Sequence, residues 1–253
     1  MIYDLQKASM WKRISAALFD GIVLGVVTVL FAWLLSVALG FDGHMNALEE
    51  KYAHYGAEYG VDFNLTLTAY DSMTTEEIAQ LDTAYAALSA DKDAVYAYNM
   101  VVQLTLLITT IGILLGFLLM EFFIPLWLGN GQTLGKKIFG IGLMRTEGVR
   151  VNSVCLFIRT ILGKYTIETM VPVLIILMIF LGTLGLVGTI VVGLIVLLQL
   201  GLLIFTSTRS CIHDFLATTV AVDIGSQMIF NTREEMIAYK QKVHAEKVAK
   251  QSY

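Results

Sequence analysis

Residues 14–39 read Ile14-Ser15-Ala16-Ala17-Leu18-Phe19-Asp20-Gly21, and then run from Ile22 to Leu39 without a charge. About 20 apolar residues suffice for one membrane-spanning helix, so this run is a candidate span. It begins just after Trp11-Lys12-Arg13 and holds one acid, Asp20. A carboxylate at membrane depth is costly and implies a partner or a task. Arg13 precedes it by seven residues, on the same helix face but about 10 Å away along the axis. A short contact between them requires the arginine to bend inward, so Asp20 needs other company.

Working outward, two more apolar blocks follow, Val101–Leu128 and Val171–Phe205. The chain has 253 residues, 57% hydrophobic and only 15% charged, with two prolines, which places it among membrane proteins. The first block ends near Ser36-Val37-Ala38, a triplet like a cleavage site. It exceeds the roughly 7–15 apolar residues of a signal-peptide core and contains Asp20, so a retained signal anchor is expected.

Charge sets the topology. Between Phe41 and Ala97 there are eleven acidic residues against two basic ones, Lys51 and Lys92. The other Lys and Arg lie before Ile14, between Gly129 and Lys164, or after Thr208. The positive-inside rule puts those basic regions in the cytoplasm and the acidic segment outside. An even number of crossings must then separate the basic loop from the basic tail. Gly182-Thr183-Leu184-Gly185 and Gly188 mark a turn between helices at about 166–181 and 186–206. The first is short for a full span, and a re-entrant hairpin is the alternative.

The expected fold is an all-α polytopic membrane protein, a four-helix transmembrane bundle with a helical, acidic extracytoplasmic insert. Its parts are a cytoplasmic N-terminus (1–13), helix one (14–40), the insert (41–97), helix two (98–128), a basic cytoplasmic loop (129–165), a helical hairpin (166–206) and a cytoplasmic C-terminal segment (207–253). Within the insert, Thr74 and Glu77 form a capping box, followed by Ile78, Leu81, Tyr85 and Leu88 at helical spacing. Tyr52, Tyr55 and Tyr59 share a helix face. In the loop, 141–145 and 149–151 flank Glu147-Gly148 as a short hairpin or an amphipathic segment at the membrane surface, and 217–222 form a further short strand. The tail from Asn231 is helical, with Asn231 and Glu234 placed as caps.

Asp20, Glu121 and Gln199 each lie about seven residues from the inner end of their helices, hence at similar depth. Pro125 has no N–H, so the carbonyl of Glu121 loses its helical partner and is open to a cation, a water or a donor side chain. Glu121 itself is expected to pair with Arg13 or Lys136. Gly21-x-x-x-Gly25 and Gly112-x-x-x-Gly116 allow close helix approach, within the chain or in a homo-oligomer. His213-Asp214 suggests a metal, but zinc needs about four ligands. His44, His54 and His244 lie elsewhere, and Cys155 and Cys211 read as small apolar fillers, so no metal and no cofactor is expected. Asp214 is expected to cap a helix end or to pair with Lys136, Arg159 or Arg209. Gly129–Lys137 lacks the phosphate-loop pattern, and no nucleophile–His–acid set is present, so neither nucleotide binding nor enzymatic activity is expected.

Arg13 with Asp20, the run Gly131-Gln132-Thr133-Leu134-Gly135-Lys136, Arg159, and Ile212-His213-Asp214-Phe215-Leu216-Ala217 together resemble the RDD family of bacterial membrane proteins. The resemblance implies that its arginine and two aspartates are Arg13, Asp20 and Asp214. Two features depart from it: Thr218-Thr219 stands where the family usually has Gly-Thr, and the acidic insert is long. It implies a role in transport, such as exchange of monovalent cations for protons, or partnership with another membrane protein. The resulting expectation is a multi-pass protein of the bacterial cytoplasmic membrane with both termini inside, bound to lipid and not to nucleic acid. Its candidate network is Arg13, Asp20, Glu121 and Asp214, supported by Gln132, Lys136, Arg159, Gln199 and His213. The rival expectation is a scaffold or regulator in which the network is purely structural.

Overall fold

The structure is a computed structural model that describes residues 6–180, 184–206 and 208–251. Helices dominate, and among the described residues four are long and apolar enough to cross a membrane: Met10–Ala38, Lys92–Leu128, Ser153–Ile179 and Gly185–Phe205. Leu18, Ile22, Val26, Trp33, Leu194, Leu197 and Phe205 project outward from them unburied. Such surface is untenable in water and ordinary in lipid.

The chain divides into two compact units, 29–112 and a second made of 1–28 with 113–253. In the first, α1 (Met10–Ala38) ends at Gly40, whose left-handed backbone turns the chain into α2 (Phe41–Tyr59). A short α3 (Leu67–Asp71) and α4 (Thr75–Ala90) lead to α5 (Lys92–Phe117). The expected capping box is present: the Glu77 N–H donates to Thr74 Oγ1 at 3.3 Å and the Thr74 N–H to Glu77 Oε2 at 2.7 Å. Leu81, Ala84 and Leu88 bury one face of α4, which packs against α2. The Phe63 ring meets Tyr52 and Tyr85 edge-on. Lys51 Nζ lies 2.6 Å from Asp91 Oδ2, and this bond holds the Asp91 carboxyl down at about 2. Gly112 lets α5 approach α1, with room for a Cβ only 3.4 Å from Ala32.

In the second unit, the helix of α5 winds on as a π-helical stretch, Leu118–Phe123, and then as α6 (Ile124–Leu128). Next come α7 (Leu134–Ile138) and β1 (Ile141–Arg145). A long helix follows in three parts: α8 (Ser153–Phe157), a π-helical stretch Ile158–Met170, and α9 (Val171–Phe180). After α10 (Gly185–Phe205) come α11 (Ile212–Leu216), β2 (Thr219–Asp223) and α12 (Arg233–Gln251). The strands pair antiparallel, Ile141 opposite Asp223 and Arg145 opposite Thr219. Ala8, Ala16, Ile141, Leu143, Val151, Leu156 and Ala221 form the core around them. Met144, Val220 and Val222 pack with Ile229 on another side.

Four expectations change. The all-helical fold carries a small sheet, and 141–145 takes 219–223 as its partner; 149–151 adds isolated bridges, Arg150 to Met144 and Val149 to Phe230. Alternation of apolar side chains locates strands but leaves the partner open, and burial of Val220 and Val222 favours the longer-range pair. The third long helix starts at Ser153 rather than near residue 166, so 153–165 is helix and not loop, for a reason that lies in its charges (below). The second starts at Lys92, six residues earlier than expected. The tail helix is capped one position further on, by Thr232, whose hydroxyl accepts the Glu235 N–H while Glu235 accepts the Asn231 N–H. Residues 182 and 183 of the expected turn lie outside the described residues.

Candidate functional site

A cavity of about 430 Å³ opens within the second unit. Arg13, Asp20, Glu121, Lys136, Arg159, Lys164, Glu168 and Asp214 line it, four acids and four bases, together with His213 and Cys211. Charge buried at this density persists only when each group is paired or hydrogen-bonded.

Asp20 is 7% exposed and bonds to α7. Thr133 Oγ1 donates to Asp20 Oδ2 at 2.5 Å and the Gly135 N–H to Oδ1 at 2.7 Å. Thr133 also caps α7 by accepting the Lys136 N–H at 3.3 Å. Gly135 is required by this approach: a Cβ there would lie 2.5 Å from the Ala16 carbonyl oxygen and 3.0 Å from the Asp20 carboxyl carbon. Gln132 Nε2 donates to the Ile141 carbonyl at 2.8 Å, tying the same turn to β1. Asp20 forms no ion pair among the described residues.

Glu121 meets two lysines, Lys164 Nζ at 2.5 Å and Lys136 Nζ at 3.8 Å. Its carbonyl, deprived of a partner by Pro125, accepts the Thr160 hydroxyl at 2.9 Å. The donor side chain is thus the occupant among the three expected. Lys136 Nζ also reaches Thr133 Oγ1 at 3.2 Å. A continuous polar chain therefore links Asp20, Thr133, Lys136, Glu121 and Lys164. Burial pushes the Lys136 ammonium down to about 7, against the pull of Glu121 and with the help of Lys164 and Arg159.

Asp214, 1% exposed, is the centre of the other half. Arg159 donates to its Oδ1 from Nε at 3.1 Å, with Nη2 in ion-pair contact 3.0 Å away, and Thr219 Oγ1 donates to the same oxygen at 2.9 Å. Arg13 Nη2 lies 3.7 Å from Oδ2, while Arg13 Nη1 donates to the Arg209 carbonyl at 2.7 Å. Burial alone would raise the Asp214 carboxyl, but Arg159, His213 and Arg13 outweigh it and hold it below the usual carboxylate range. Glu168 grips His213 twice, accepting its backbone N–H at 2.9 Å and facing Nδ1 at 2.7 Å. Burial keeps the His213 imidazole below its ordinary value.

The structure therefore gathers Arg13, Asp20, Glu121, Lys136, Arg159, His213 and Asp214 around one cavity. Arg13 serves Asp214 and not Glu121, and Gln199 is not beside Asp20: its Oε1 accepts the Ile212 N–H at 3.0 Å. Sequence reasoning missed Lys164, Glu168 and Thr160. All three sit on the π-helical stretch, and that winding carries no recognisable signal in residue type.

The class defined by this arrangement is a polytopic helical membrane protein with a charged, internally neutralised chamber. A family model, that of the RDD family, matches residues 7–218, most of the chain, and the chain belongs to that family. No curated protein and no solved structure matches it.

Proposed function

We propose that the protein is a membrane carrier for small cations, of the cation/proton exchange type, with Asp20 as the exchanging group. One observation carries this: Asp20 is a chamber carboxylate held by neutral donors, whereas Glu121 and Asp214 each face two cations. A carboxylate so placed can hold either a proton or a monovalent cation, with Thr133 Oγ1 as a second oxygen ligand. The cation's departure leaves one negative charge that a proton neutralises. The chain from Thr133 through Lys136 and Glu121 to Lys164 supplies a polar route for that proton, hydrogen-bonded at both ends and joined by the 3.8 Å Lys136–Glu121 ion pair in the middle. In this mechanism Asp20 is the exchanging group and Glu121 a relay group.

The charge distribution supports the placement. Basic residues before Ile14, around 136–164 and after 208 belong in the cytoplasm, with the acidic 41–97 outside, in a bacterial cytoplasmic membrane. On this topology α9 and α10 form a transmembrane hairpin, and both termini are inside. The role is not enzymatic, and self-association is compatible with it.

In proteoliposomes, Asp20→Asn should abolish Na⁺ or K⁺ exchange for H⁺ while membrane protein levels stay unchanged. Exchange that survives in Asp20→Asn places the exchanging group elsewhere. The buried Arg13–Asp214–Arg159 cluster favours a second reading, a scaffold or regulator whose network locks the helices. It predicts no flux in the wild type and a partner membrane protein that is recovered in mild detergent and lost in Asp214→Asn.

A further inference from the structure

Cys211, His213 and Asp214 occupy the start of α11, and one potential ligand atom from each lies within 4.8 Å of the others. All three residues line the chamber. Two of these atoms have no hydrogen bond among the described residues. His213 is gripped at Nδ1 and at its backbone N–H by Glu168, which leaves Nε2 turned toward Asp214 Oδ2 at 3.6 Å. Asp214 is hydrogen-bonded at Oδ1 alone, by Arg159 and Thr219. Its Oδ2 is left with His213 Nε2 and, at 3.7 Å, Arg13 Nη2. Arg13 is itself engaged elsewhere, at the Arg209 carbonyl.

The spacing suits a metal. Zinc takes Cys, His and Asp ligands at about 2.0–2.3 Å in tetrahedral geometry, which sets ligand atoms roughly 3.3–3.7 Å apart. The Nε2–Oδ2 separation of 3.6 Å already matches. A metal-binding histidine usually donates its other ring N–H to a carboxylate, which fixes the tautomer and aims the lone pair, and Glu168 stands in that position. His213 is also immobilised from the side. A Cβ on Gly163 would lie 2.5 Å from the His213 Cβ, so the long helix presses its bare backbone against the histidine.

Charge permits it too. With Cys211 as thiolate, Cys211, Asp214 and Glu168 carry three negative charges against the two of Arg13 and Arg159. A divalent ion then leaves a single positive charge. Without a metal the thiol stays protonated, pushed up to about 11 by burial and by the Asp214 and Glu168 carboxylates. A coordinated ion displaces that proton.

We propose that Cys211, His213 and Asp214 form a transition-metal site of the zinc class, with Glu168 orienting the histidine and the fourth position open to the chamber. The sulfur and nitrogen donors disfavour Na⁺, K⁺, Mg²⁺ and Ca²⁺. The site is therefore separate in chemistry from the oxygen ligands at Asp20, and it stands whether or not the protein carries ions.

The test uses full-length protein in mild detergent, stripped of metal and titrated with Co²⁺. One equivalent should bind and produce the near-ultraviolet thiolate-to-cobalt charge-transfer band. Zn²⁺ should displace it. Cys211→Ser should remove the band and weaken Zn²⁺ binding at least tenfold, and Cys155→Ser should keep it, the two being the only cysteines in the chain. Glu168→Gln should retain the band and weaken binding about 10–100-fold. Asp20→Asn should leave all of this unchanged. Gel filtration confirms that each variant is folded before titration. A wild type without the band, or a band that survives Cys211→Ser, overturns the proposal.

Discussion

Lys136 carries the sharpest consequence at the scale of single residues. Its ammonium is buried and held near 7, against 10.5 for an ordinary lysine. Between those values the unfolded chain binds a proton that the folded protein does not, so stability rises with pH across that window and the cost is fully present below it. Cys211 acts in the opposite sense, but only from about 9 upward, where an ordinary thiol ionises. The apparent Tm of detergent-solubilised protein should therefore rise from pH 7 to pH 8.5, and Lys136→Met should flatten that rise. Equal slopes in the two proteins would remove Lys136 as its source. The same scale shows what residue type revealed in advance. An acid in an apolar run and a proline four residues after another acid both pointed to real requirements, met by Thr133, Gly135 and Thr160. Neither could identify the donors, because Asp20 and Gly135 are 115 residues apart and meet only through folding.

Winding decides most at the scale of elements. Arg159, Lys164 and Glu168 are five and nine residues apart. On an α-helix they fall about 140° and 180° from one another and cannot serve one cavity. The i→i+5 bonding of a π-helix has about 4.4 residues per turn, which brings all three within roughly 50°. Arg159 and Lys164 read as loop charges ahead of a helix holding Glu168, because α-helical periodicity scatters the three. On π-winding they form one polar face, and the helix extends back to Ser153. The sheet shows a second dependence on partners. Leu143 is fully buried between β1, β2 and the Gly129–Gly131 turn, where the Leu143 N–H donates to the Asn130 carbonyl at 2.9 Å. Leu143→Ala should cost about 2–5 kcal/mol by leaving a cavity, read as a lower unfolding midpoint. A change below about 1 kcal/mol would mean that the strands contribute little to holding α7 and its Asp20 bonds.

For the whole molecule, composition and charge order carried much of the reading. Four apolar helices, an acidic segment and three basic regions are legible without coordinates. The expected orientation can be checked directly. A periplasm-dependent phosphatase inserted near residue 65 should be active and one fused at the C-terminus inactive, while a cytoplasm-dependent fluorescent protein should report the converse. An active C-terminal phosphatase would overturn the even number of crossings. Glycine patterns were legible as close approaches but not as to partner. Gly112 meets Ala32 and Gly116 meets Thr28, within each unit, whereas a Cβ at Gly21 or Gly25 would meet nothing within 4 Å among the described residues.

The amino-acid sequence alone determined the class, because hydropathy, charge asymmetry and the cost of buried charge are local properties of residues. It marked Arg13, Asp20, Glu121 and Asp214 as charges that must find partners. Tertiary structure decided who those partners are: Asp20 with a threonine and a glycine N–H, Glu121 with two lysines, Asp214 with two arginines, and Cys211 beside His213. The physical reason is that pairing at low dielectric depends on distances of a few ångströms. Those distances are set by helix winding and by contacts between residues far apart in the chain.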